Sequence, residues 1–169
     1  PPRSILFIAA AGEEGGLRGS QYYATHPTFP PGKIAADLNI DGIQVVGRAL
    51  EYTFLGSDKT TLGGVIAWAE QEYQFTNVPD PEPGQGSYYR SDHFNFAKVG
   101  VPAVSIDQGD LFEGKDPAWG KKVWEDYNEN RYHRPSDEYD PEWDFSGLVK
   151  LAHISGAIGW IIASEPKLP

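Results

Sequence analysis

The chain has 169 residues, enough for one domain with one core. Fourteen Lys and Arg against 24 Asp and Glu leave a net charge of −10. That balance argues against nucleic acid or anionic membrane as a partner, because phosphate is bound mainly by cationic side chains. With no cysteine, disulfides, thiolate metal sites and a cysteine nucleophile are excluded, and compartment cannot be read from redox chemistry.

Pro1-Pro2-Arg3 leads straight into an apolar run, without the pattern of a signal peptide. Residues 4–11 are continuously apolar and end at Gly12, which predicts a strand buried on both faces. Residues 17–25 have helical character, and Pro27, Pro30 and Pro31 forbid its continuation. Residues 34–40 read as a second buried strand and 51–55 as a third, of alternating character. Residues 60–75 predict an amphipathic helix with Leu62, Val65, Ile66, Ala69 and Tyr73 near one face. Residues 77–86, rich in proline and glycine, read as a loop. Ser91 is the expected N-cap of a short helix through residue 98, and 101–106 a fourth strand. Residues 109–139 are long, aromatic and polar without sustained periodicity, which predicts a functional loop. Ser146 is then expected to cap a final helix to residue 164. Its apolar tract, 148–163, is interrupted by Lys150 and His153 and reads as too short for a membrane span, so a soluble protein without a membrane partner is expected. Strands alternating with helices predict a single α/β domain over residues 1–169 with a largely parallel sheet.

In such sheets ligands lie beyond the carboxyl ends of the strands. The first strand delivers Glu13-Glu14 there, the second Asn39-Ile40-Asp41, and the fourth Asp107. Acidic groups at three strand ends repel one another unless a cation, either Arg or Lys or a metal, lies among them. Glu13 and Glu14, bracketed by glycines, suit one metal donor and one proton carrier; they equally suit a solvated turn before a helix. Asp41-Gly42 is also a common turn. His133, after Tyr132 and before Asp137, reads as a ligand oriented by its neighbours or as a surface histidine. Tyr88-Tyr89-Arg90-Ser91-Asp92-His93-Phe94 joins an aromatic loop to a helix N-terminus, either to recognise a substrate group or as a packed corner. His26 and His153 read as a helix-end and a helical residue.

In series, Glu-Glu after a strand, Asn-x-Asp after the next, Arg-Ser-Asp-His-x-x-Phe and Tyr-His-x-x-x-Asp resemble the co-catalytic zinc aminopeptidase and glutamate carboxypeptidase family of metallopeptidases. The resemblance implies a three-layer α/β sandwich with a mostly parallel mixed sheet, here lacking its N-terminal strands. It implies a zinc-dependent exopeptidase of aminopeptidase type that attacks peptide bonds with a metal-activated water. Glu13 matches the general base and Tyr132 a hydroxyl that stabilises the oxyanion. Glu14 and His133 match ligands of one zinc, and Asp41 a ligand of the second. Asp92, His93, Tyr89 and Arg90 match a segment that borders the substrate or supports the site. The family's His-x-Asp segment and bridging aspartate precede the Glu-Glu strand and have no counterpart here. One zinc or none is therefore expected, and the chain reads as the C-terminal part of a catalytic domain. An open sheet edge then invites self-association or a leading segment. Peptide is the implied substrate, and Trp119, Trp124 and Tyr127 either border the site or pack the long loop. Two other outcomes share the fold: a non-catalytic binding or dimerisation module, and a single-zinc enzyme like glutaminyl cyclase. A periplasmic or extracellular home is suggested by the family alone.

Overall fold

A computed structural model gives the fold of residues 1–165, and its central strand is the last one in the sequence. The elements are α1 (Arg18–Thr25), β1 (Asp37–Ile40), β2 (Glu51–Leu55), α2 (Gly63–Tyr73), β3 (Thr76–Asn77), α3 (His93–Lys98), β4 (Ala103–Gln108), α4 (Trp119–Asn130) and α5 (Ser146–Ser164). The strand order is β1-β4-β2-β3. β4 pairs in parallel with β1, Asp37 opposite Ala103, and antiparallel with β2, Tyr52 opposite Gln108. The short β3 pairs in parallel with β2, so the sheet is mixed.

Alternation along β4 explains the layers. Val104 and Ile106 point into the main core, where they join Tyr52, Phe54, Leu62, Ile66 and the α5 residues Leu151, Ile154 and Ile158. Ala103 belongs to a smaller cluster with Phe96 and Val101, packed by Tyr23 and Ile34. α2 packs on α5, and α1 on α3. The result is a three-layer α/β arrangement in which the carboxyl ends of β1 and β4 share one rim, near the turn after residue 11.

Several elements differ from what the sequence predicts. Residues 4–11 form no strand and are not buried; they run exposed, with Phe7 at 91% exposure. Apolar character alone makes no strand: among the described residues no backbone group from Ser4 to Ala10 finds a partner. Residues 37–40 are half-buried rather than buried, because β1 is an edge strand. The third strand, expected to alternate, is buried from Tyr52 to Leu55, since layers cover both its faces. The middle of the 109–139 segment, expected to be a loop, forms α4. Neither serine acts as a cap: α3 and α5 have no side-chain cap on the residue before them, and Asp144 Oδ1 accepts from Ser146 N at 2.9 Å. α5 is also long and apolar enough, by length and composition, to cross a membrane. Here its Leu151, Ile154, Ile158 and Ile162 are buried in the core of the sheet layer.

Asp37 opens β1 with an enclosed carboxylate, its Oδ2 without a hydrogen-bond partner. Burial, then the negative charge of Asp92, pushes its pKa from 3.8 up to about 7. The unfolded chain releases this proton near pH 4 while the folded chain holds it to about 7, so stability falls as pH rises through that window. Asp37→Asn is therefore expected to raise stability at pH 8 by about 2–4 kcal/mol and to change it little at pH 4, as read by thermal melts at both pH values.

Candidate active site

The turn that carries Glu13 and Glu14 is fixed by its backbone. Gly12, at φ 71°, lets the chain reverse, and the amides of Gly16 and Leu17 both donate to Glu13 O at 2.9 and 2.8 Å. Gly19 N donates to Ala11 O at 2.8 Å, so the first turn of α1 closes on the end of the extended run. The turn thereby brings Glu13 within electrostatic reach of Glu14 and of Asp41 at the end of β1.

The loop after α4 brings the imidazole. His133 adopts φ 56°, a left-handed conformation that costs a residue with a side chain about 1 kcal/mol. The ring lies flat on Tyr132, centroids 3.8 Å apart, and Tyr132 leans on Tyr127 at 5.9 Å. Tyr127 Oη donates to Asp137 Oδ2 at 2.9 Å and so pins the loop to α4. In this pose His133 Nε2 donates to Glu14 Oε1 at 2.6 Å, a contact between residues 119 apart in sequence.

Asp41 is held by a separate chain of hydrogen bonds. The Asn39 amide donates to Ser105 Oγ at 3.3 Å and to Ser91 Oγ at 2.8 Å, and Ser91 Oγ donates to Asp41 Oδ2 at 3.1 Å. Asp92, next in sequence, accepts from Ser20 Oγ. Asn95 donates to Ser20 Oγ at 2.8 Å and to Leu17 O at 3.0 Å. Sequence reasoning missed Ser20, Asn39, Ser91 and Ser105 in this role. Their polarity inside otherwise apolar strands and helices is the signal that could have found them.

Electrostatics tie the groups together. Partial burial raises the pKa of Glu13, and the carboxylates of Asp41, Glu14 and Asp92 raise it further against the opposing pull of His133. Burial raises Tyr132 too, with Glu14 and Glu13 adding to it and Arg90 working against it. Asp107, at the end of β4, is pushed up to about 6 by burial and by Asp41 and Asp80. Glu13, Glu14, Asp41, Asp92 and Asp107 therefore crowd together with Arg90 as a nearby cation, an arrangement that favours holding protons or attracting a further positive charge.

Not every expected residue reaches the rim. His93 is fully buried, edge-on to Tyr88 at 5.0 Å, and burial pulls its pKa down to about 4. It cannot touch a substrate. Tyr89 is exposed and packs against Tyr88 and Phe94. Beside the cluster a cavity of about 860 Å³ is lined by Gly42, Trp119, Tyr127, Arg131 and Trp143. Trp124 packs edge-on to Tyr127 and lies outside that lining. As a zinc centre the donor set is short. Among the described residues no group of three His, Asp or Glu is placed to hold a metal ion. Glu14 and His133 form a pair of suitable chemistry, but Asp41 is turned to Ser91, and a catalytic zinc ordinarily takes three protein donors.

Residues 1–155 match the sequence pattern of peptidase family M28. The chain belongs to that family. An aminopeptidase from an Aneurinibacillus species superposes with TM-score 0.58 at 20% identity, over 93% of this chain and 33% of its own. A zinc aminopeptidase from Bacillus subtilis gives TM-score 0.65 at 19% identity, over 96% of this chain and 37% of that one. Glutaminyl cyclase from Porphyromonas gingivalis gives 0.54 at 15%, over 92% and 52%. The comparison with curated proteins gives no match. At these identities the neighbours establish a zinc-aminopeptidase-like fold, and this M28 chain spans about a third of the length of the two aminopeptidases.

Proposed function

We propose that this M28 chain serves a metallopeptidase-type hydrolase, an exopeptidase of aminopeptidase type acting on peptides, and forms the C-terminal part of its catalytic domain. The observation that carries the reading is the 2.6 Å contact between Glu14 and His133 beside Glu13, whose pKa is raised by burial and by the neighbouring carboxylates. A carboxylate and an imidazole of this kind are zinc donors, and the neighbouring carboxylate is placed to handle a proton. Zinc, expected from the family, meets only these two donors in the described residues, so the chemistry assigned to the chain is that of its own groups. Glu13 takes the proton of the attacking water and returns it to the leaving amine. Tyr132, kept protonated by burial and by the acids around it, donates its hydroxyl to the carbonyl oxygen as negative charge develops there. Asp41, steadied by Ser91, supplies negative potential to attract a cation or a substrate amine. Arg90, whose charge acts on Tyr132, is assigned to the substrate side of the site.

The test is a zinc titration followed by calorimetry, alongside hydrolysis of aminoacyl anilides. One weakly held zinc is expected, and His133→Ala is expected to weaken its binding by about 100-fold or more. Unchanged binding in that variant would overturn the donor assignment. Absence of hydrolysis at every zinc concentration would favour the non-catalytic module. Release of ammonia from a peptide beginning with glutamine would favour a cyclase, the reading kept alive by the glutaminyl cyclase fold match.

A further inference from the structure

Asp107 is an acid at the strand ends that the proposed chemistry does not use. It lies near the end of β4, which runs inside the sheet between β1 and β2, so elements of this chain fix its place from both sides. Side chains alternate along a strand. Val104 and Ile106 enter the main core, which turns Ser105 and Asp107 to the opposite face. Ser105 is already tied to the site. Its hydroxyl accepts from the Asn39 amide, that amide also donates to Ser91, and Ser91 donates to Asp41. Asp107 stands one step further along the same face, toward the carboxyl end where ligands of such sheets lie.

The residue facing it is polar as well. Thr53 of β2 is directly opposite Asp107 in the antiparallel register, so both side chains share that face, with β-carbons about 4.5–5.5 Å apart. Thr53 is only 6% exposed, yet among the described residues neither its hydroxyl nor the half-buried Asp107 carboxylate makes a hydrogen bond. The ion pairs of the described residues go to Glu14, Asp58 and Glu113 instead. Both charges that act on Asp107, those of Asp41 and Asp80, are negative. A recessed carboxylate and a neighbouring hydroxyl, both with acceptor capacity to spare, make a receptor for a positively charged donor.

Its position relative to the reacting groups indicates which donor. Glu13 is acted on by Asp41, Glu14, Asp92 and His133, and Asp107 by Asp41 and Asp80. Asp41 is common to both sets, so Asp107 lies beyond Asp41 as seen from Glu13. A substrate amine drawn to Asp41 therefore leaves Asp107 to the group that branches from the adjoining α-carbon, the first side chain of the peptide.

We infer that Asp107 selects peptides whose first residue is lysine or arginine, its carboxylate pairing with the cationic end of that side chain while the Thr53 hydroxyl accepts a further hydrogen bond. The inference rests on the exopeptidase reading and names the substrate class that this reading leaves open.

Calorimetry with lysinamide and norleucinamide tests it, on the chain with and without added zinc. The two probes share an α-amine and an aliphatic stem and differ in the terminal ammonium. Lysinamide is expected to bind about tenfold more tightly or better. Asp107→Asn is expected to remove that difference and to leave the affinity for norleucinamide within about twofold. The substitution keeps the size of the side chain and takes away one of three neighbouring negative charges, so the fold is expected to hold, as read by thermal melting. Asp107→Glu, which keeps the charge, is expected to keep the preference. Lysyl, arginyl and leucyl anilides should show the same pattern in kcat/KM. Equal binding of the two amides, binding of neither, or a preference for lysinamide that survives in Asp107→Asn overturns the inference. If no anilide reacts while the amide preference and its loss in Asp107→Asn stand, the exopeptidase reading fails and the role of Asp107 in binding is upheld. Hydrolysis of leucyl anilide with no preference for the lysyl and arginyl compounds overturns the inference and leaves the exopeptidase reading standing.

Discussion

Glu13→Gln is expected to lower hydrolysis of aminoacyl anilides by about 10²–10⁴-fold, the usual contribution of a positioned acid–base group. The substitution keeps the size of the side chain and removes only its capacity to take a proton. It leaves the turn intact, because the hydrogen bonds that close it go to the Glu13 backbone carbonyl. Zinc binding is expected to stay within about twofold, since the donor pair is Glu14 and His133. The pH profile provides a second readout. Burial and three neighbouring carboxylates hold the Glu13 proton above the ordinary carboxylate range, so the acid limb of the rate profile should lie higher than for a free glutamate. In Glu13→Gln that limb should vanish along with the rate. A variant that keeps both rate and limb would remove Glu13 from the proton path.

Gly147→Ala is expected to cost more than about 3 kcal/mol of stability, the upper end of overpacking effects. A β-carbon at this position, in the first turn of α5, would run into the carbonyl oxygen of Gly47. The obstacle is backbone, and it cannot retreat cheaply. Asp144 N donates to Val45 O at 2.9 Å, Gly47 N donates to Asp144 O at 3.2 Å, and Val46 bridges Asp144, so moving Gly47 breaks the stitching that seats α5. Gly156, in the same helix, has no atom within reach of an added β-carbon. Gly156→Ala should therefore stabilise by about 0.5–1 kcal/mol through helix propensity alone. Urea unfolding of both variants separates the two cases, and equal midpoints would contradict the close approach at Gly147.

Much of the fold was legible because periodicity reports burial. Tyr52, Phe54, Val104 and Ile106 announce strands, and Leu151, Ile154, Ile158 and Ile162 recur at helical spacing. Periodicity reports only the faces a segment could bury, and a strand also needs neighbours. Residues 4–11 have the composition of a core strand and lie in the open for that reason. α4 escaped notice for the opposite reason: its half-buried apolar residues are Trp119, Val123, Trp124 and Tyr127, too few to stand out among its charged residues. In the site, spacing left Glu13, Glu14 and His133 ambiguous, and only the series of motifs suggested that distant segments belong together. The Ser91 contact to Asp41 was hidden because a serine beside a helix start resembles a cap, and nothing local reveals a partner 50 residues away.

The place of β4 in the sheet has a bearing on how the chain folds as it is made. β1 and β2 are both translated before β4, yet they bond to it and not to each other. Among the described residues, the ladder available before residue 108 has left the ribosome is the two-residue match of β2 with β3. Until then Tyr52 and Phe54 lack their β4 neighbours, which places the decisive loop closure late in synthesis.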